Sequence, residues 1–253
     1  LNPHAEILTV FSKGACAILD AQGGIGHLAA DGALNMALEN AERHGIACIT
    51  CRNSNHIGAC GIYVRMIAKR RKIGILTTVS NAMMAAWGGK TRVLGNNPIA
   101  IGAPIADKQP FMYDAAMTVV AMQRIRKAMD SSESIPADWA LNENGLPALT
   151  PEAALRGTLM PIGGHKGVGL AMGMEILSAM LSGSSSSAKV LSFVDQVEKP
   201  TGASFCLIVI DPAAFIGVDE FELRMADWID TLTKSPKRPE VNRIYYPGEI
   251  EEN

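Results

Sequence analysis

Gly24-Ile25-Gly26-His27-Leu28-Ala29 follows a short apolar run, Ala15 to Asp20, and opens a stretch of helical periodicity from about Ala29 to Glu42 that Gly45 ends. A G-x-G-x-x-A between a strand and a helix is the setting in which glycines let a dinucleotide's pyrophosphate approach the backbone, and accepting it would fix the fold as a doubly wound parallel sheet. The residues further out argue otherwise. The second strand, Ile46 to Thr50, reaches Asn53 without an acidic residue to take ribose hydroxyls, although Arg52 can face a 2′-phosphate instead. Repeated βαβ units do not follow. The other reading of the hexapeptide is a turn whose glycines supply positive φ and close packing between strand and helix.

Working outward, Arg52 to Gly61 is polar and glycine-containing, Ile62 to Ala68 suggests a helix, and Ile73 to Val79 is a β-branched strand. Gly88, Gly89, Gly95 and Pro98 punctuate a loop before two short strands, Ile99 to Ala103 and Phe111 to Asp114, so strands cluster between 73 and 114 without intervening helices. Helix is predicted over Met117 to Met129. Asp130 to Met160 reads as a surface excursion that packs over the core, with a helical turn at Pro151 to Arg156. Gly167 to Ser182 is a strong helix with Leu170, Met174, Leu177 and Leu181 on one stripe, and the serine-rich Ser182 to Ala188 reads as mobile. Phe205 to Ile210 is a buried strand and Glu220 to Leu232 an amphipathic helix, followed by a proline-containing linker. Met83, Met84, Met172, Met174 and Met180 are expected to fill gaps in the core.

The 253 residues are 48% hydrophobic and 19% charged with a formal net charge of -2, enough apolar material for a large core and no block of like charge. A polyanion-binding surface is not indicated, so nucleic acid is not an expected partner. The longest apolar stretch, Val168 to Leu181, is short for a bilayer span and carries Glu175, so no membrane segment is expected. Five scattered cysteines fit a reducing compartment, read as the cytoplasm. Cys48 and Cys51 form a C-x-x-C within and just after a strand, where residues three apart face opposite sides, so no metal site is expected.

Four motifs then stand in order. Arg52-Asn53-Ser54-Asn55-His56-Ile57-Gly58 resembles the R-N-S-N-H-F-G signature of the NAD(P)-dependent malate/L-lactate/ureidoglycolate/sulfolactate dehydrogenase family. Leu94-Gly95-Asn96-Asn97-Pro98-Ile99-Ala100 is similar to its L-G-T-N-P-I-A, Pro161-Ile162-Gly163-Gly164-His165-Lys166-Gly167-Val168-Gly169 to its P-F-G-G-H-K-G-Y-G, and Tyr246-Pro247-Gly248-Glu249 to a C-terminal P-G-E. The likeness runs from about residue 10 to 250. It implies an α+β fold: a mixed, largely antiparallel sheet flanked by helices, forming a non-Rossmann cofactor domain over residues 10–215, with a C-terminal helical segment over 216–253 that packs with an N-terminal domain. It also implies a homodimer that interconverts small 2-hydroxy and 2-oxo acids with NAD or NADP. Reduction of cyclic imino acids on the same scaffold, or a catalytically impaired cofactor-binding relic, are the alternatives.

The resemblance carries roles to particular residues. His56 is the candidate proton relay, since an imidazole with a pKa near working pH gives and takes a proton efficiently, and Ser54 and Asn55 are placed to fix its tautomer. The structural alternative is a histidine that caps the following helix. Gly163 to Gly167 precedes a helix whose amides and dipole can meet a phosphate, with His165 and Lys166 beside it. Ser80, Asn96 and Asp114 to Ala116 align with cofactor-touching segments, as do Pro247, Gly248 and Glu249; Asp114 is equally well explained as an N-cap for the Met117 helix. Three departures stand out: the family's Asp-Ser-His-Gly stretch, which helps bind substrate and carry its proton, has no counterpart here, Asn96 replaces a threonine, and Asp114-Ala115-Ala116-Met117-Thr118 replaces D-M-A-T-S.

Overall fold

A computed structural model describes residues 2–196 and 198–250. A seven-stranded sheet organises the chain, in the spatial order β1 (Leu8–Lys13), β2 (Cys16–Asp20), β3 (Ile46–Ser54), β9 (Ala203–Ile210), β4 (Ile73–Thr78), β5 (Ile99–Ala103) and β6 (Phe111–Ala115). Only β2 and β3 pair in parallel, joined by helix α1 (Gly26–His44); every other neighbour is antiparallel. This is the mixed, largely antiparallel α+β sheet that the resemblance implies.

Side chains alternate across the sheet, and the two faces are covered differently. Ala17, Leu19, Ala47, Ile49, Cys51, Phe205, Leu207 and Val209 point to one face and form the main core with α1 and with α2 (Cys60–Lys69). The buried face of α1 is mostly alanine (Ala29, Ala30, Ala33, Ala37 and Ala41), and such small side chains let the helix lie close against the strands. Gly45 ends α1 in the left-handed conformation at φ 79°, its amide donating to the Ala41 carbonyl. On the other face α5 (His165–Glu175) continues into a π-helical turn, Ile176–Met180, that lies across β9, β3 and β4. Cys48 and Cys51 therefore point to opposite faces, and Cys48 approaches Cys206 on β9 instead, Sγ to Sγ 3.7 Å.

A second apolar cluster joins Met84, Met117, Ile125 of α3 (Met122–Asp130), Ala154 of α4 (Pro151–Arg156), Leu159 and Val168. Residues 130–160 thus contribute Ile135, Ala140, Ala148, Ala154 and Leu159 to a core, and are not only a surface excursion; within them β7 (Ala140–Leu141) pairs with β8 (Thr158–Leu159). The C-terminal α6 (Val218–Thr233) buries Ile229 with Ile105 and Tyr246. Residues 251–253 of the expected C-terminal segment lie outside the described residues.

Three expectations need correction. Met117 to Ala121 is not helical: the Met117 amide donates to the Asn96 carbonyl and that of Val119 to Met160, so α3 starts at Met122. The stripe of Leu170, Met174, Leu177 and Leu181 is not the buried one: the helix and the π-helical turn that continues it bury Val168, Ala171, Met174, Ser178 and Ala179, leaving Leu170, Leu181, Met172 and Met180 exposed. Nor is the serine-rich segment loose: Ser182 and Ser187 are buried, and Glu175 takes hydrogen bonds from both the amide and the hydroxyl of Ser187 at 2.6 and 2.7 Å.

Candidate functional site

From the pairing directions, β2, β3, β4 and β6 all run the same way, so their final residues, Asp20, Ser54, Thr78 and Ala115, gather at one end of the sheet with the first residues of β9 and β5. Three of the four motifs emerge at that end. β3 continues past the apolar run to Ser54, but its register with β9 shifts between Cys51 and Ser54 and Asn53 takes φ 52°. An irregularity of this kind bends a strand. It turns residues 55–58 over the end of the sheet.

That loop is pinned from several sides. The Asn55 amide nitrogen donates to the Gly23 and Gly24 carbonyls at 2.9 and 2.7 Å, while its side-chain oxygen accepts from the Thr201 amide at 2.8 Å. The Tyr63 hydroxyl donates to the Ile57 carbonyl at 2.7 Å. Gly26 lies so close beneath that an added Cβ would come within 2.4 Å of the Asn55 and His56 carbonyl oxygens. The G-x-G-x-x-A glycines thus serve close packing of α1 under the His56 loop. Arg52, weighed above for a 2′-phosphate, donates with Asn53 to one oxygen of Asp20, each at 2.9 Å. Burial pushes the Asp20 carboxyl up, and the Gln22 amide with the Arg52 and Asn53 side chains outweighs it, leaving the pKa below the usual value.

His56 projects from the loop. Its ring stacks on Phe193 with centroids 4.5 Å apart and 9° between planes, and meets His27 edge to face at 6.4 Å. Partial burial lowers its pKa and the neighbouring His27 lowers it further by like-charge repulsion. Ser54 and Asn55 do not fix its tautomer: the Ser54 hydroxyl is buried and donates to the Asn55 carbonyl at 3.2 Å, and the Asn55 amide is used as described. They position the loop and leave the imidazole to the cavity.

A cavity of about 230 Å³ opens beside His56, with Thr78, Ser80, Asn81 and Asn96 as polar walls and Met83, Met122, Leu191 and Phe193 among the apolar ones. Ser80 Oγ accepts from the Asn96 amide at 3.1 Å and donates to the Asn81 carbonyl at 3.0 Å. Next to it Asn97, wholly buried at φ 25°, takes the Ser80 amide and donates to Glu175 at 2.8 Å and to the Ala171 carbonyl at 3.0 Å. Glu175 thereby ties the cavity's Asn96 wall to the helix behind it.

Backbone hydrogen bonds connect the remaining candidates. Met117 donates to Asn96, and Ile162 donates back to the Met117 carbonyl, so Ala115 and Ala116 and the entry of α5 are stitched to the cavity wall. Gly163 and Gly164 have φ of 56° and 63°; α5 has neither a side-chain cap nor an acidic residue in its first turn. His165 and Lys166 are exposed there, outside the cavity, with His165 against Trp87 at 5.8 Å. Asp114 caps a helix, but not the expected one: its carboxylate takes the Gly61 amide of α2 at 2.6 Å. Burial raises its pKa against the pull of that amide. Pro247, Gly248 and Glu249 are not brought to the cavity. The Pro247 carbonyl takes the Met112 amide at the start of β6, Gly248 at φ 97° lies against Pro110, and Glu249 pairs with Arg243.

Sequence reasoning passed over Phe193, His27 and Thr201. Each reaches the loop from a distant part of the chain; Phe193 and Thr201 belong to no motif, and His27 gave a signal only as part of the glycine hexapeptide.

The family described as malate/L-lactate dehydrogenase matches residues 1–253. The malate dehydrogenase of Pyrococcus horikoshii is 35% identical over 98% of this chain and 70% of its own length. The solved structure of sulfolactate dehydrogenase from Methanocaldococcus jannaschii superposes with a TM-score of 0.92 at 33% identity, covering 99% of this chain and 72% of that one. A Delta(1)-pyrroline-2-carboxylate/Delta(1)-piperideine-2-carboxylate reductase of Pseudomonas aeruginosa is 34% identical over 81% of this chain and 61% of its own length. The chain belongs to the malate/L-lactate dehydrogenase family.

Proposed function

We propose that this protein interconverts a 2-hydroxy acid and a 2-oxo acid with NAD or NADP, and that His56 moves the proton. The observation that carries the reading is His56 itself: a partly buried imidazole of lowered pKa on the rim of a cavity at the sheet end where three family motifs meet. When bound, the nicotinamide supplies or accepts the hydride. The residues fit such a group: Ser80 and Asn96 offer polar atoms on one wall of the cavity, and the uncapped entry of α5, with Lys166 and no acid, suits a phosphate. His165, Asp114, Ala115, Ala116, Pro247, Gly248 and Glu249 complete the proposed cofactor contacts, the last three by resemblance alone.

The chain's own part follows from acid–base chemistry. Oxidising a hydroxyl carbon requires a group to take the hydroxyl proton, and a neutral imidazole does so; in the reverse direction imidazolium returns it to the developing alkoxide. The lowered pKa keeps the ring neutral at neutral pH and ready as the acceptor. Phe193, Met83 and Met122 give the cavity beside it an apolar wall. We also propose a homodimer as the working form.

The test is to titrate NADH and NADPH by fluorescence and to assay reduction of oxaloacetate and pyruvate. Absence of nucleotide binding in a folded sample would count decisively against the reading. A second reading, reduction of cyclic imino acids, is favoured by the Pseudomonas relative, and a cyclic imine run beside the keto acids separates the two. Binding without turnover on any of these would mark a cofactor-binding relic.

A further inference from the structure

Three of the five cysteines lie together on the face of the sheet that α1 and α2 do not cover. Cys16 and Cys48 are register partners on the parallel strands β2 and β3. Cys48 in turn meets Cys206 of β9, two residues along from its own partner Ile208, with the sulfurs 3.7 Å apart. Cys51 and Cys60 belong to the main core instead. Access to the three falls from strand to strand: Cys16 is exposed, Cys48 is partly buried and Cys206 is 1% exposed. The π-helical turn lies over β9, β3 and β4, yet Ile46, two residues before Cys48 on the same face, is 45% exposed and Ile208 opposite it is only partly buried. Cys48 thus sits where that cover ends, within reach of a small solute from which Cys206 is closed off.

The contact between Cys48 and Cys206 is asymmetric. The hydrogen bond to Cys48 and then burial raise the Cys206 pKa, so Cys206 keeps its proton and donates. The same hydrogen bond lowers the Cys48 pKa and outweighs the effect of its partial burial. Burial pushes the Cys51 and Cys60 thiols the other way, and since the thiolate is the nucleophile, Cys48 differs from both in reactivity as well as in access. Among the described residues no histidine, aspartate or glutamate completes these thiols into a group placed to hold a metal ion.

We propose that Cys48 is a site of reversible oxidation by hydrogen peroxide, with Cys206 as the thiol that closes a disulfide onto it. The Cys48 thiolate attacks one peroxide oxygen, forming an S–O bond as the O–O bond breaks and hydroxide leaves to become water. The Cys206 sulfur then displaces the hydroxyl from the Cys48 sulfenic acid, forming the S–S bond, and its proton departs with that hydroxyl as a second water. Two thiols give up two electrons and the peroxide takes them. The sulfurs must close by about 1.7 Å from their contact distance to reach bonding distance. The bridge ties β3 to β9 just ahead of the irregularity that turns residues 55–58 over the end of the sheet. None of this depends on the dehydrogenase reading.

The test exposes the full chain to hydrogen peroxide at neutral pH, blocks the remaining thiols with iodoacetamide in denaturant, and maps unreduced peptides by mass spectrometry. The expected product is a peptide pair joined through Cys48 and Cys206 that dithiothreitol separates, with Cys51 and Cys60 recovered as alkylated thiols. With Cys16→Ser and Cys206→Ser combined, oxidised Cys48 has no thiol beside it to close on, and dimedone is expected to label it. In Cys48→Ser, Cys206 is expected to stay unoxidised. Alkylation of Cys48 in the native protein at pH 7 is expected to slow about tenfold in Cys206→Val, which removes the donor and raises the Cys48 pKa by about one unit, and to stay near the wild-type rate in Cys206→Ser, which keeps a donor. Peroxide that leaves Cys48 unmodified, a bridge from Cys48 to Cys16 in place of Cys206, or a Cys206→Val protein alkylated as fast as wild type overturns the assignment. The wild-type map needs no substitution, so it decides the matter even where a variant fails to fold.

Discussion

At the scale of single residues, the chemistry of His56 follows from what it touches. Stacking on Phe193 strips water from one face, and burial together with His27 holds the ring below the ordinary histidine pKa of 6.5. The rate of hydroxy-acid oxidation is therefore expected to hold down to a pH where an unperturbed histidine would already be half charged, and to fall only below it. His27→Gln removes the like-charge contribution but not the burial, so it moves the His56 midpoint upward; the C2–H proton resonance followed against pH measures this directly. A wild-type midpoint at or above 6.5 would contradict it. His56→Gln is expected to lower turnover by about 10²–10⁴-fold with NADH affinity retained, as for loss of a general acid–base. Glu175 shows a different logic. It is a buried carboxylate that accepts from Asn97 and twice from Ser187. Glu175→Ala strands those donors and is expected to cost on the order of 3 kcal/mol, read from a denaturant midpoint. Composition alone shows Glu175 only as a charge that breaks an apolar run; its partners, 78 and 12 residues away, are visible only once folded.

At the scale of elements, the segments whose cause is local were legible and those whose cause is tertiary were not. Ile99–Ala103 and Pro151–Arg156 stand where β-branching and a proline at the first helical turn place them, with Thr150 capping the latter through the Ala153 amide. Met117 to Ala121 has a helical pattern, yet bonds to Asn96 and Met160 hold it in a non-helical course. β1 gives no alternation to read, since all six of its residues are exposed. The glycine hexapeptide is the sharpest case, because the same spacing serves a pyrophosphate in one fold and close packing in another. Here Gly26→Ala would drive a methyl into the Asn55 and His56 carbonyls. The substitution is expected to cost about 1–3 kcal/mol, as overpacking does, and to perturb His56 as well. A thermal melt and the His56 resonance test both effects, and an unchanged protein would return the hexapeptide to a role unconnected with that loop.

At the scale of the whole molecule, the fold class follows from the ordered motifs better than from periodicity, because strands clustered between 73 and 114 without intervening helices already argued against a doubly wound sheet. What the sequence left open is which surfaces are finished. The outer side of α5 and the π-helical turn exposes Leu170, Met172, Ile176, Met180 and Leu181, each more than half exposed. A contiguous apolar face of this kind marks an interaction surface more often than a solvated one. The homodimer proposed above is a candidate occupant. Sedimentation is expected to report twice the mass of one chain, and Ile176→Asp with Met180→Asp to shift it to one. Because both side chains point away from the core, a melt that stays cooperative in the double variant would separate lost association from lost folding. A wild type that sediments as one chain, or a double variant that still pairs, would place the dimer contact elsewhere.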